Sequence, residues 1–331
     1  MIDINSFIEK NVTFRNESMF QKDIDANSDR LRYEIEGRSI LVIGGAGSIG
    51  SSYIRAVLKF KPAKLTVVDI SENGLTELTR DLRSTYGMYI PEDYTTYPIN
   101  YADPVFEKMF RHAGGFDIVA NFSAHKHVRS EKDEFSVQAL IENNVIRARK
   151  LLELLTEFPP RKFFCVSTDK AANPVNIMGG SKKIMEDMIM AYSGRFSVTT
   201  ARFANVAFSN GSLLAGFIDR IMKRQPLSAP ADVRRYFVSP AESGQICMLA
   251  CMLGRSGEIY FPKLKQDQML TFSEIGTRLL NEMGYKAAEC ASEEEARKMA
   301  AERKDDNKNY PVYYFTSDTT GEKAYEEFYT D

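Results

Sequence analysis

A glycine-rich loop constrains the fold of this chain most. The apolar run SILVI at residues 39–43 leads into Gly44, Gly45, Ala46, Gly47, Ser48, Ile49 and Gly50, and a helical stretch follows. The glycines fit GxxGxxG, where Gly44 allows a tight turn, Gly47 the approach of a pyrophosphate and Gly50 the packing of helix on strand. Because the first N–H groups of a helix attract phosphate, the loop and the adjoining Ser48 and Ile49 predict a dinucleotide site.

An acidic residue follows at the expected distance. Asp69 ends the apolar run KLTVVD, 19 residues after Gly50. A carboxylate at this place accepts hydrogen bonds from the adenosine ribose and repels a 2′-phosphate, so NAD is predicted rather than NADP. Asp103 follows the third predicted strand, where it either contacts the adenine or caps the helix that begins at Pro104.

Strands alternate with helices over the first two thirds of the chain, which predicts an α/β fold with a doubly wound parallel sheet. A chain of 331 residues, 44% of them hydrophobic, can bury a core of that size. We expect an N-terminal extension (1–36), a Rossmann domain (37–205, with 236–262 returning to it) and a smaller, mostly helical substrate lobe (206–235 and 263–331).

Composition argues against several classes of protein. Lys and Arg total 43 against 45 Asp and Glu, so no basic surplus points to nucleic acid. The N-terminus lacks a signal-peptide pattern and no run reaches the roughly 18 apolar residues of a membrane helix, which predicts a cytoplasmic protein without membrane contact. His125 and His127 flank Lys126 with no Cys or acidic partner at a recognisable spacing, and no metal site is predicted.

Seven segments, in the order GGAGSIGS, VVDISENGL, NFSAHKHV, ENNV, STDKAANPVNIMGGSKK, ARFANV and RRYF, carry a family resemblance over about residues 38–260. The chain resembles the nucleotide-sugar 4,6-dehydratases of bacterial polysaccharide biosynthesis, which are extended short-chain dehydrogenases/reductases. STDKAxNP is the most specific segment. The resemblance implies a homo-oligomeric lyase that acts on UDP-N-acetylglucosamine with tightly bound, recycled NAD.

The dehydratase reaction oxidises C4 of the sugar, eliminates water across C5 and C6, and returns the hydride to C6. It requires an acid and a base side by side. Thr168, Asp169 and Lys170 directly follow a predicted strand, at the end of the sheet where ligands bind. By resemblance, Asp169 is the acid for the C6 hydroxyl, Lys170 is the base at C5, and Thr168 holds the C4 oxygen.

The chain departs from the wider superfamily at one position. The superfamily carries Tyr-x-x-x-Lys, and the corresponding segment here is Met178-Gly179-Gly180-Ser181-Lys182. Lys182 is expected to bind the nicotinamide ribose, whereas Met178 cannot exchange protons. The resemblance associates methionine here with retention of configuration at C5, giving UDP-2-acetamido-2,6-dideoxy-xylo-hexos-4-ulose. Asp169, Thr168 and a water molecule are the candidates to accept the C4 proton.

The resemblance also implies residues for the nucleotide sugar. Asn205 and Arg235 correspond to diphosphate contacts, and Arg234 could exchange roles with its neighbour. The remaining candidates are Ser212 and, near the nicotinamide and sugar, Lys126 and His125. Three alternatives stay open: a C5-inverting dehydratase, a 4-epimerase of a UDP-sugar, and a non-catalytic protein that binds NAD or a nucleotide sugar.

Overall fold

The computed structural model describes residues 2–126, 133–317 and 328. Contacts divide the chain into two compact units. The large unit comprises Met19–Phe203, Ala241–Pro262 and Glu327–Asp331, and the small unit comprises Met1–Ser18, Ala204–Pro240 and Lys263–Glu326. The predicted domain boundaries differ from these units at the N-terminus, because residues 1–36 are shared between both. The assignment of a substrate lobe stays a prediction.

The large unit contains a seven-stranded sheet in which every pair of neighbours is parallel. Its strands are β1 (Ser39–Ile43), β2 (Lys64–Asp69), β3 (Asp93–Pro98), β4 (Ile118–Asn121), β5 (Lys162–Val166), β6 (Val198–Ala201) and β11 (Glu258–Tyr260). The order is β3-β2-β1-β4-β5-β6-β11, so the chain reverses direction across the sheet between β1 and β4. The predicted doubly wound parallel sheet is confirmed.

Helices of the large unit cover the sheet. They are α2 (Gln21–Ala26), α3 (Ser28–Ile35), α4 (Ser48–Leu58), α5 (Glu72–Ser84), α6 (Pro104–Ala113), α7 (Glu134–Ile141), α8 (Ala148–Glu157), α9 (Ile177–Ala191) and α11 (Pro240–Leu253). One core cluster includes Leu41 and Phe163 from the sheet with Phe110, Leu152 and Ile189 from helices. β4 is buried at every position, as expected of a strand covered on both faces.

A π-helical segment interrupts the helical stretch that runs from α7 to α8. The segment Glu142–Arg147 separates α7 from α8 and buries both Asn143 and Asn144. Single π-helical turns widen a helix locally and are frequent at functional sites.

The small unit has its own core and its own sheet. Its helices are α1 (Ile4–Ile8), α10 (Leu213–Met222), α12 (Phe272–Glu282) and α13 (Glu293–Glu302), and its strands are β7 (Asn205–Val206), β8 (Leu227–Pro230), β9 (Arg234–Arg235), β10 (Phe237–Val238), β12 (Leu270–Thr271), β13 (Lys286–Glu289) and β14 (Asn309–Phe315). The parallel sheet β13-β14-β8 was not predicted. Two of its strands are only four residues long, too short for their alternation to stand out in the sequence.

Candidate functional site

The glycine loop closes tightly on itself and on the segment after β4. Gly44 has φ +73°, and a β carbon there would lie 2.8 Å from the main-chain nitrogen of Ser123. A β carbon on Gly50 would lie 2.4 Å from the carbonyl oxygen of Gly44. At Gly47 the nearest atom would be 3.4 Å away, an ordinary contact. Gly47, at the N-cap of α4, therefore places no side chain beside the first N–H groups of the helix, which phosphate groups can approach.

Asp69 holds the glycine loop as well as facing a possible ribose. One carboxylate oxygen accepts the N–H of Ala46 at 3.0 Å, and the other accepts the N–H of Ser71 at 3.0 Å. Each carboxylate oxygen retains a further lone pair for a ligand hydroxyl. Asp103 occupies the N-cap position of α6, but its exposed side chain makes no capping hydrogen bond.

Three polar side chains meet just beyond the carboxyl end of β5. Thr168 caps a short 3₁₀ helix, Asp169–Ala171, and its hydroxyl donates to Asp169 Oδ1 at 2.7 Å. Lys170 Nζ donates to both carboxylate oxygens of Asp169, at 3.1 and 3.2 Å. The Asp169 side chain is 5% exposed and that of Lys170 28%, and Thr168 is also partly exposed, so the carboxylate is the buried member of this cluster.

The first turn of α9 packs directly beneath this cluster. Asn176 caps the helix by accepting the N–H of Gly179 at 2.7 Å, and Met178 is buried. Lys182 is buried one turn further on, and its Nζ donates to the carbonyl oxygen of Val166 at 2.7 Å. Burial lowers the pKa of Lys182, while Cys165 and Glu186 raise it. The cofactor lysine predicted from the sequence therefore lies under the last residue of β5.

Asn144 lies at the site but was not among the residues predicted from the sequence. It accepts the main-chain N–H of His125 at 2.8 Å and donates to the carbonyl oxygen of the same residue at 2.9 Å. It also donates to Ser181 Oγ at 3.0 Å. In the sequence, the asparagine pair in ENNV was the available hint. The π-helical turn explains how the Asn144 side chain reaches both the segment after β4 and α9.

The exposed residues after β4 flank this hydrogen-bonded group. Partial burial and, second, the cation of Arg147 lower the pKa of His125, which favours the neutral ring. The Lys126 residue as a whole is exposed, but partial burial of its ammonium group lowers the pKa of that group. His127 lies outside the described residues. Among the residues that the structure describes, no group of three or more His, Cys, Asp and Glu side chains could hold a metal ion.

Four of the predicted nucleotide-sugar residues belong to the small unit, whereas His125 and Lys126 belong to the large one. Asn205 lies in β7, which pairs with β10. Ser212 caps α10, and its hydroxyl accepts the N–H of Ala215 at 3.2 Å. Arg235 is buried and donates to the carbonyl oxygen of Arg234 at 2.9 Å, whereas Arg234 is exposed. The phosphate-binding roles of both arginines stay predictions, with Arg234 the more accessible of the two.

Several proteins resemble this chain in sequence. An uncharacterized membrane protein of Methanocaldococcus jannaschii is 33% identical over 258 residues, covering 75% of this chain and 74% of the relative. The capsular polysaccharide biosynthesis protein CapD of Staphylococcus aureus is 31% identical over 233 residues, but this chain spans only 38% of its length. A UDP-N-acetylglucosamine 4,6-dehydratase (inverting) of Campylobacter jejuni is 27% identical over 238 residues, 69% of this chain and 67% of that enzyme.

A solved structure agrees with the fold. The dTDP-glucose 4,6-dehydratase DesIV of Streptomyces venezuelae, crystallised with NAD and TYD, superposes with a TM-score of 0.66 at 20% identity and covers 88% of each chain. Within the described ranges, no helix is both long enough and apolar enough to cross a membrane. The family described as polysaccharide biosynthesis protein matches residues 40–331. Since this match spans most of the chain, the protein belongs to the polysaccharide biosynthesis protein family.

Proposed function

We propose that this protein is an NAD-dependent nucleotide-sugar 4,6-dehydratase that acts on UDP-N-acetylglucosamine and retains the configuration at C5. The cluster of Thr168, Asp169 and Lys170 carries this proposal, since it places a hydroxyl, a carboxyl group and an amine within hydrogen-bonding distance at one end of the sheet. A reaction that moves protons at C4, C5 and C6 of one sugar needs such neighbouring groups.

The large unit fits NAD. The crowded contacts at Gly44 and Gly50 leave no room for a side chain at either position, and Asp69 has spare acceptors for a ribose. At the end of β5, the buried hydroxyl of Ser167 has no hydrogen-bond partner among the described residues, which suits a polar group of a ligand. Bound NAD would supply the hydride acceptor for C4 and return the hydride to C6. The glycine loop, Asp69 and Lys182 would hold it.

A proton route that needs no tyrosine follows from the geometry. Thr168 already donates its hydroxyl proton to the Asp169 carboxylate, so its oxygen can receive the proton of the C4 hydroxyl as its own moves to Asp169. Asp169 then carries the proton that the departing C6 hydroxyl needs. The proton lost from the C4 hydroxyl leaves in the eliminated water, and the Asp169 carboxylate is restored.

In the same catalytic cycle, Lys170 is the base that acts at C5. It must be uncharged when it removes the C5 proton, and the ammonium group that results returns a proton after the hydride reaches C6. The carboxyl group of Asp169, whose two oxygens both accept hydrogen bonds from Lys170 Nζ, orients the amine. If one lysine removes a proton from C5 and later delivers a proton to C5 on the same face of the sugar, C5 keeps its configuration.

The stereochemical part of the proposal has a competitor. The Campylobacter jejuni relative is named as an inverting enzyme, which favours the C5-inverting alternative. Met178 at the position of the usual tyrosine favours retention. A 4-epimerase gives the Asp169–Lys170 pair no task, and a non-catalytic binding protein gives the whole cluster none. A cytoplasmic location and a homo-oligomeric state stay predictions of the sequence.

One incubation tests the proposal. The protein is mixed with UDP-N-acetylglucosamine in D2O without added cofactor, and the product is analysed by NMR and mass spectrometry. We expect loss of one water, deuterium at C5 and the xylo configuration. An arabino-configured product would contradict retention alone. No conversion, even with NAD supplied, would overturn the dehydratase proposal.

A further inference from the structure

Three charged side chains are buried together in the large unit. Lys182 and Glu186 lie one turn apart on α9, and Arg202 follows the last residue of β6. Buried charges in proteins are almost always paired, since removing an ion from water is costly. Lys182 has a place in the proposed function, whereas Glu186 and Arg202 have been assigned none.

Arg202 binds Glu186 through a two-point contact. Its Nε donates to Glu186 Oε1 at 2.8 Å, and its Nη2 donates to Oε2 at 2.5 Å. A third donor, Nη1, reaches the carbonyl oxygen of Phe328 at 2.9 Å. Two parallel hydrogen bonds between a planar guanidinium and a carboxylate fix direction as well as distance. The pair therefore sets how α9 is rotated against the end of β6.

The burial of this ion pair is weak evidence that Glu186 and Arg202 serve only to stabilise the fold. Replacing both partners by apolar side chains is often neutral or favourable for stability, because the cost of desolvation disappears. The position of the pair suggests a different role. Glu186 is one helical turn from Lys182, whose Nζ must reach the end of β5 from inside the protein.

The charges around Lys182 also depend on Glu186. Cys165 lies on β5, Glu186 lies on α9 itself, and the ion pair of Asp169 and Lys170 lies on the 3₁₀ helix that packs against α9. Burial lowers the pKa of Lys182, and Glu186 opposes that effect together with Cys165. Loss of the Glu186 carboxylate would remove one of the two groups that raise the pKa of Lys182 and would leave Arg202 a buried cation without its carboxylate partner.

We propose that Glu186 and Arg202 are positioning residues that hold α9, and with it Lys182, in the place needed to bind the nicotinamide half of NAD. This inference rests on the proposed function, because that function assigns Lys182 to the cofactor. Neither residue needs to touch NAD. Their effect is carried by the backbone of α9 and by the charge of Glu186.

The test compares NAD affinity with fold stability. The variants are Glu186→Gln, Arg202→Met and the double variant Glu186→Leu/Arg202→Met. Asp187→Asn is the matched control, because Asp187 forms an exposed ion pair with Lys183 on the same helix. Bound NAD is first removed from each protein, NAD and UDP binding are then titrated by calorimetry, and melting temperatures are measured alongside.

We expect Glu186→Gln to weaken NAD binding about 10-fold, as for residues coupled through one network, and to leave UDP binding unchanged. Asp187→Asn should bind NAD like the wild type. The double variant should recover the melting temperature lost in Arg202→Met without recovering NAD affinity. A double variant with wild-type NAD affinity would overturn the positioning role and make the pair structural. A wild-type protein that binds no NAD would instead overturn the proposed function, and this inference with it.

Discussion

Gly179 packs against the carbonyl oxygen of Lys170 so closely that a β carbon at position 179 would lie 2.5 Å from it. The first turn of α9 thus fixes the position of the main chain at Lys170, in the segment proposed to be catalytic. In Gly179→Ala, the new β carbon must displace the main chain of Lys170, because the atom it meets is a carbonyl oxygen and not the end of a flexible side chain. Misplacement of a reacting group by about 1 Å can cost roughly 100-fold in rate. We expect kcat for dehydration to fall by about that factor.

The neighbouring Gly180 is the control for this prediction. A β carbon there would meet nothing within 4 Å. Since alanine favours a helix over glycine by about 1 kcal/mol, Gly180→Ala should keep full activity and melt at a higher temperature. Equal kcat values for both alanine variants would show that the contact between Gly179 and Lys170 does not position the base.

The hydroxyl of Thr168 is predicted to carry the C4 proton to Asp169. Thr168→Val keeps the shape of the side chain but removes the donor that reaches Asp169 at 2.7 Å. We expect kcat to fall about 100-fold, the lower range for a lost acid–base group, with NAD affinity unchanged. Thr168→Ser, which keeps the hydroxyl, should retain most of the rate. Steady-state kinetics with UDP-N-acetylglucosamine decides, and a valine variant as fast as the serine variant would remove Thr168 from the proton route.

Asp69 is predicted to bind the ribose and to hold the glycine loop. Asp69→Asn should weaken NAD about 10-fold, as expected for hydrogen bonds to a charged group, while UDP affinity stays the same. Glu72→Gln is a suitable control, since Glu72 is an exposed acid at the start of α5. Calorimetric titration of both ligands gives the comparison. Equal losses for NAD and UDP would indicate a general loss of fold rather than a cofactor contact.

The sheet was predictable because its signals are local. The strands β1, β2, β4 and β5 are short, mostly apolar runs, and glycines or polar residues follow where the chain leaves the strand. The same logic placed Thr168, Asp169 and Lys170 together, as neighbours in sequence at the end of one strand. The three-stranded sheet of the small unit escaped prediction because short strands such as LSAP and KAAE carry no comparable pattern.

Contacts between distant segments were not predictable in this way. Asn144 joins His125 to Ser181, and Arg202 joins Glu186 to Phe328. Each of these residues reads as an ordinary polar side chain in its own helix or loop. Only the arrangement of β4, β6 and α9 in space, together with the π-helical turn at Glu142–Arg147, brings the partners within reach.

The four cysteines are predicted to differ sharply in reactivity. Burial raises the pKa of Cys165 to about 11 and that of Cys251 to about 12, and it raises the pKa of Cys247 as well. A thiol reacts as its thiolate, so a pKa raised from 9 to about 11 lowers the reactive fraction at pH 8 roughly 100-fold, and burial blocks the reagent besides. Cys290 is only partly buried.

A thiol-reactive chromophore at pH 8 should therefore label one cysteine of the native protein quickly and the other three only after unfolding. Cys290→Ser should abolish the fast phase. This result requires that the large-unit core stays closed on the time scale of labelling, since Cys165, Cys247 and Cys251 all lie inside it. Fast labelling of a second thiol in the native state would show that this core opens, and peptide mapping of the labelled cysteine would identify the helix or strand that moves.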